Sequence, residues 1–204
     1  MRSLILALLI VTGIYVVYRH ADGDVLFDFE HTKQNWSIPQ WAAEQGDCTG
    51  MLLEVSPDKS SSRDRALKLT CEVPGDSWSS AVIEYENEMD LSWARVISVD
   101  IFVPSGVWSG KSRGRIALIT GEAGWWMEMR GAVRIETGEW SNISAGLREQ
   151  DASLWGNSRG DGFDLKEDLA KVRKIVIRVE FDGWHRSADM YYNGPVYVDN
   201  IRIE

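Results

Sequence analysis

The chain has 204 residues, room for one β-sandwich domain and a short extra segment, and its 31 Asp and Glu against 22 Lys and Arg give a net charge of −9. That balance repels phosphates and excludes a general nucleic-acid binder; it also disfavours polyanionic glycans. Ten Trp in one such chain need a destination, and part of them is expected on the surface for a purpose.

Residues 4–17 are an unbroken run of mostly aliphatic side chains behind Arg2, closed by Tyr18-Arg19-His20. Residues 1–20 therefore read as a signal peptide or an N-terminal membrane anchor, and both alternatives stay open. Either one places the following domain, residues 25–204, outside the cytoplasm, with the membrane touched only through this segment. Export makes a disulfide between Cys48 and Cys71 permissible. A buried free thiol at Cys71, on the apolar face of Leu67, Leu69 and Val73, is equally compatible.

Beyond the leader the pattern is of short strands. Residues 25–30, 35–41, 50–55, 66–73 and 79–86 read as extended, with a polar breaker loop at 56–64. The clearest strand is 94–104, where Ile97, Val99, Ile101 and Val103 share one face and Pro104 ends the run. Strands at 115–120, 124–130, 132–136 and 140–147 follow. A helical turn is expected at 165–170, capped by Asp164. Strands at 174–181, burying Ile175, Ile177, Val179 and Phe181, and at 195–204 close the chain. No repeat and no second domain intervenes, so the fold class is an all-β sandwich.

The stretch Gly124-Trp125-Trp126-Met127-Glu128-Met129-Arg130 carries the strongest functional signal. As a strand it sends Trp125, Met127 and Met129 to the core and Trp126, Glu128 and Arg130 to the opposite surface. An indole beside a carboxylate and a guanidinium is what a sugar needs: a flat apolar platform for its C–H face, with donors and acceptors for its hydroxyls.

In order and spacing, the landmarks Phe27-Asp28-Phe29-Glu30 with Trp36, Ala66-Leu67-Lys68-Leu69, Asp90-Leu91-Ser92 leading into Val99-Asp100-Ile101-Phe102-Val103-Pro104, Gly138-Glu139-Trp140, and Gly194-Pro195-Val196-Tyr197-Val198-Asp199-Asn200-Ile201 give the chain a family likeness. It resembles a carbohydrate-binding module of the galactose-binding-like jelly-roll superfamily, of the type attached to mannanases and β-glucanases. The resemblance implies a two-sheet jelly roll whose concave sheet holds a glycan chain. It also implies a structural calcium clamping the first and last strands, with Glu30 and Asp199 as ligands, Asp28 as a weaker one, and carbonyls of the 58–64 loop completing the shell.

Candidate ligand-binding residues are Trp126, Glu128 and Arg130 by parity, the loop aromatics Trp78 and Trp184 with Trp108 and Trp155 behind them, and Glu84 and Arg178 on the polar faces of their strands. Trp36, Trp93 and Trp140 are assigned to the core or its edge. Other chemistry finds little support. Gly110 to Gly114 spells G-x-S-x-G, but a loop leads there into a strand and not a helix. Three histidines have no zinc spacing. Glu88-Met89-Asp90 lacks the second glutamate of jelly-roll glucanases. The expectation is non-catalytic binding of a neutral polysaccharide or oligosaccharide. The alternatives are a structural or protein-interaction domain of the same fold and, behind it, a glycan hydrolase or lyase using a pair among Glu84, Glu86 and Glu128.

Overall fold

The computed structural model describes residues 18–19, 25–73, 78–105, 111–160, 164–182 and 192–204. The apolar run at 4–17, Trp108 and Trp184 lie outside the described residues. Among the described residues no helix is long and apolar enough to cross a membrane.

Alternating apolar side chains build two seven-stranded sheets, and every named strand pair is antiparallel. The first sheet holds β1 (Tyr18–Arg19), β2 (Val25–Phe27), β4 (Gly50–Ser56), β5 (Ala66–Val73), β7 (Val96–Phe102), β11 (Trp140–Gly146) and β14 (Tyr192–Ile203). The second holds β3 (Trp36–Ser37), β6 (Ser79–Met89), β8 (Lys111–Thr120), β9 (Trp125–Met129), β10 (Val133–Ile135), β12 (Trp155–Asn157) and β13 (Val172–Asp182), in the order β12-β9-β8-β13-β6-β3 with β10 also on β8. The two pack face to face over one core. Ile97, Val99 and Ile101 enter it from β7 and Ile175, Ile177, Val179 and Phe181 from β13, as their alternation predicts. This is the expected all-β two-sheet jelly roll.

Among the described residues helical structure is confined to α1 (Gln40–Ala43), a 3-10 turn at Glu149–Leu154, and α2 (Leu165–Leu169). The expected cap of α2 is present, with the Asp164 side chain accepting the Glu167 N–H at 3.0 Å. The strand expected across 35–41 is cut short after Ser37. Pro39 has no N–H for a ladder, and from its extended backbone the chain turns into α1.

Three indoles sit elsewhere than expected. Trp155, expected at a groove rim, is fully buried in the core with Nε1 donating to the Gly146 carbonyl at 2.8 Å. Trp93, expected in the core or its edge, is 41% exposed, because its Nε1 is drawn to the Asp90 carbonyl at the sandwich end. Trp125 has core parity but opens β9 beyond the edge of the core and is 37% exposed. Both cysteines are free thiols: Cys71 lies in the core as a small hydrophobe, whereas Cys48 lies against Ser80 on the outer side of the second sheet. Ser112, the middle letter of the G-x-S-x-G match, is a buried residue inside β8, so no strand-to-helix elbow exists there.

Candidate functional site

The register of the second sheet lays its outward side chains out in rows. One row runs Trp126, Ile119, Lys174 and Glu86 across β9, β8, β13 and β6. The next runs Gly156, Glu128, Ala117, Val176, Glu84 and Ser37 from β12 to β3. A third carries Arg115, Arg178 and Val82. Small apolar side chains thus floor the middle of this face, and long polar ones flank it.

Val82, Ala117 and Val176 form a cluster with Ala42 of α1, separate from the sandwich core, and Trp41, Trp126, Cys48 and Ile119 pack around it. The rings of Trp41 and Trp126 stand 6.0 Å apart at 87°, edge to face. Each indole N–H is tied to a carboxylate. Trp126 Nε1 donates to Glu128 Oε2 at 3.0 Å, and Trp41 Nε1 donates to Glu84 Oε2 at 3.4 Å.

Cations hold both carboxylates in place. Lys174 Nζ lies 3.0 Å from Glu84 Oε1 and 3.1 Å from Glu86 Oε2. Burial works against the charge of this ammonium, but the hydrogen bonds to Glu84 and Glu86 outweigh it and raise its pKa above the ordinary lysine value. Arg178 Nη2 donates to Glu128 Oε2 at 2.9 Å and lies 2.9 Å from Glu180 Oε1. Arg115 completes the lattice through Nε to Glu180 Oε1 at 2.8 Å and Nη1 to Glu128 Oε1 at 3.6 Å. The result is a rigid surface with indole faces, carboxylate acceptors and cationic donors side by side.

Of the sequence-read candidates, the fold brings Trp126, Glu128, Glu84 and Arg178 onto this one face. Arg130 shares the parity but ends β9 and turns to β12, where its Nε donates to the Trp155 carbonyl at 3.0 Å. Trp78 precedes β6, half-buried, and stands outside the indole cluster. Trp41 was not among the candidates, nor were Lys174, Arg115 and Glu180. Pro39 just ahead of Trp41 was the one available sign that this indole leaves the strand, whereas the charged partners are set by cross-strand register.

The residues named for calcium each have partners within the chain. Asp199 is fully buried, and its Oδ2 accepts the N–H groups of Ser61 at 2.8 Å and Ser62 at 3.1 Å with the hydroxyls of Ser60, Ser61 and Ser62, while Oδ1 accepts the Asn200 N–H. Burial raises its pKa, and these donors pull the other way. Glu30 accepts the Asp64 N–H at 3.2 Å, and Asp28 pairs with Arg63 at 3.7 Å. Among the described residues no group of three or more His, Cys, Asp or Glu is placed to hold a metal ion. Asp199 is thus engaged by backbone N–H groups and serine hydroxyls, and Ser61 Oγ also donates to Asp100 Oδ2 at 2.8 Å.

No protein-family model and no curated protein sequence matches this chain. Solved structures do share its fold. A CBM27 module of Caldicellulosiruptor saccharolyticus in complex with mannohexaose is 18% identical, with a TM-score of 0.58 over 89% of this chain and 96% of that one. A CBM28 carbohydrate-binding module specific for non-crystalline cellulose is 14% identical, with a TM-score of 0.56 over 87% of this chain and 91% of that one. The family 11 module of the cellulosomal cellulase Lic26A-Cel5E of Clostridium thermocellum is 15% identical, with a TM-score of 0.51 over 89% and 94%. The chain has the jelly-roll fold of carbohydrate-binding modules.

Proposed function

We propose that this domain binds a neutral polysaccharide chain, without catalysis, on the outer face of its second sheet. The observation that carries the reading is the half-buried Trp126 ring with Glu128, Arg178, Glu84 and Lys174 arrayed beside it on one rigid face. Folds of this kind that hold mannohexaose or non-crystalline cellulose support it. Paired charges on the face favour an uncharged ligand, since each cation already has its anion.

The pair Glu84 and Glu128 does not support hydrolysis. Glu128 and Glu84 lie in one row three strand spacings apart, about 14 Å between backbones. Hydrolases place theirs roughly 5 to 10 Å apart. Glu84 and Glu86 lie closer together, but side by side on one strand and on one cation, Lys174 Nζ at 3.0 Å and 3.1 Å, and not opposed across a cleft. Export through residues 1–20, by cleavage or by retention as an anchor, is part of the proposal and rests on the apolar run behind Arg2.

Affinity electrophoresis and calorimetry against soluble mannan, mixed-linkage β-glucan and xylan test the reading. One of these is expected to bind in the roughly micromolar to millimolar range. The Trp126→Ala variant is expected to bind at least about fivefold more weakly. Binding to none of them, or equal binding by the variant, refutes the site.

A further inference from the structure

Val82, Ala117 and Val176, the apolar middle of the proposed face, are between 0% and 2% exposed, although they point away from the sandwich core. What covers them is the segment 39–47. It leaves the sheet after β3, where Ser37 pairs with Glu84, and returns where Ser80 N–H donates to the Asp47 carbonyl at 2.8 Å and Cys48 bridges to Ser80. Both ends are therefore pinned to β6. Between them the segment lies over the face as a strap.

The strap is weakly held. Its helix α1 is a single turn with no side-chain cap at Pro39. Residues 43–47 are exposed, and a Cβ on Gly46 would meet nothing within 4 Å. Its attachment to the face consists of Ala42 on the small floor, the Trp41 edge-to-face contact with Trp126, and the 3.4 Å hydrogen bond from Trp41 to Glu84. That bond is long for an N–H to a carboxylate. Trp41 thus occupies the two features a sugar ring would use, the apolar floor beside Trp126 and an acceptor oxygen of Glu84.

We infer that the 39–47 strap is a gate: Trp41 fills the glycan site in the free protein and lifts away when a chain binds. The inference rests on the glycan reading above. It predicts an observed affinity lowered by the fraction of molecules whose strap is open, so removing the occupant raises the affinity. The pins at Ser37 and Asp47 keep the strap in register for closure.

The test compares the full chain with Trp41→Ala on whichever of the three glycans binds. The variant is expected to bind at least about fivefold tighter and to associate faster. Weaker or unchanged binding overturns the gate and makes Trp41 a fixed wall of the site. Hydrogen exchange reads the strap without any sugar. The amides of Ala42, Ala43, Gln45 and Cys48, hydrogen-bonded within the strap, are expected to exchange at least about a hundredfold faster than that of Val176 on β13. Exchange of these amides only with global unfolding overturns the gate whatever the glycan result. If neither protein binds any glycan, the glycan reading fails, and the exchange rates still decide whether the strap opens.

Discussion

Trp126 owes its place in the proposed site to two constraints on one side chain. Strand parity sends it outward, and Glu128 two residues on takes its N–H, which fixes the ring plane and leaves ring surface for stacking. Stacking of a planar ligand on an aromatic ring is worth about 1–3 kcal/mol. Trp126→Ala is therefore expected to weaken glycan binding by at least about fivefold while the fold persists, as calorimetry beside far-UV circular dichroism checks. Arg178 is a different kind of residue. Its guanidinium bridges Glu128 and Glu180, and the Glu180 side chain is only 8% exposed. Replacing it in Arg178→Met leaves Glu180 to Arg115 alone and Glu128 to the Trp126 N–H and a longer ion pair. The expected cost is about 2 kcal/mol of stability, less than for a wholly buried pair because Glu128 is partly solvated. Denaturant midpoints with an unchanged m-value measure it, and a midpoint equal to wild type would show the lattice to be screened by solvent.

At the scale of elements, β14 shows how a side chain can take the place of a missing ladder. Between Asp199 and Arg202 its register shifts, Asn200 takes a positive φ of 55°, and the strand trades β5 for β2 as a neighbour. The Asp199 carboxylate then gathers the N–H groups that the bulge and the 60–62 loop leave unpaired. Asp199→Ala strands those donors and is expected to cost about 3 kcal/mol, whereas a chelator should leave the thermal midpoint of the wild type unchanged. A midpoint that falls with chelator would restore the calcium reading. These elements also mark how far the sequence could be read. Alternation located the long strands because each buries one face, and it placed Trp126, Glu128, Glu84 and Arg178 on outward faces correctly. It was silent on which outward faces adjoin, since cross-strand register joins Lys174 to Glu84 and Arg115 to Glu180 over long chain separations. It misplaced Trp155 and Trp93 because both sit where strands meet loops. There a single N–H partner, the Gly146 or Asp90 carbonyl, decides the direction of the ring. It missed Trp41 for a similar reason, as a one-turn helix carries no periodicity to detect.

For the whole molecule, the sandwich interior holds acidic protons that unfolding would release. Burial pushes the Cys71 thiol from 9.0 up to about 12, and burial, with the nearby Cys71 and Tyr197 adding to it, raises the Tyr192 phenol above its ordinary 10.0. Both are acids whose folded pKa exceeds the unfolded one, so their contribution is fully present below the unfolded value and is lost as pH rises toward the folded value. Asp199 has the same sign from the acid side: its contribution is present below 3.8 and is lost as pH rises through its raised pKa. Asp58, lowered first by its hydrogen bond with Lys68, and Asp90, lowered first by its hydrogen bond with Ser92, oppose it there, because their contributions are lost as pH falls below 3.8. On the alkaline side Cys48 and Tyr197, both raised first by burial, act with the same sign as the Cys71 thiol and the Tyr192 phenol. Stability is therefore expected to hold up to about pH 9 and then to fall by about 1.4 kcal/mol per pH unit, with a steeper slope above about pH 10 as Tyr192 joins. Urea titrations across this range measure the slope. In Cys71→Ala the decline just above pH 9 is expected to shrink to the share of the partly buried Cys48, whose thiol burial also raises, whatever the variant costs in packing. A slope between about pH 9 and 10 equal to that of the wild type would remove the Cys71 thiol from the account and leave Cys48 and the phenol to explain it.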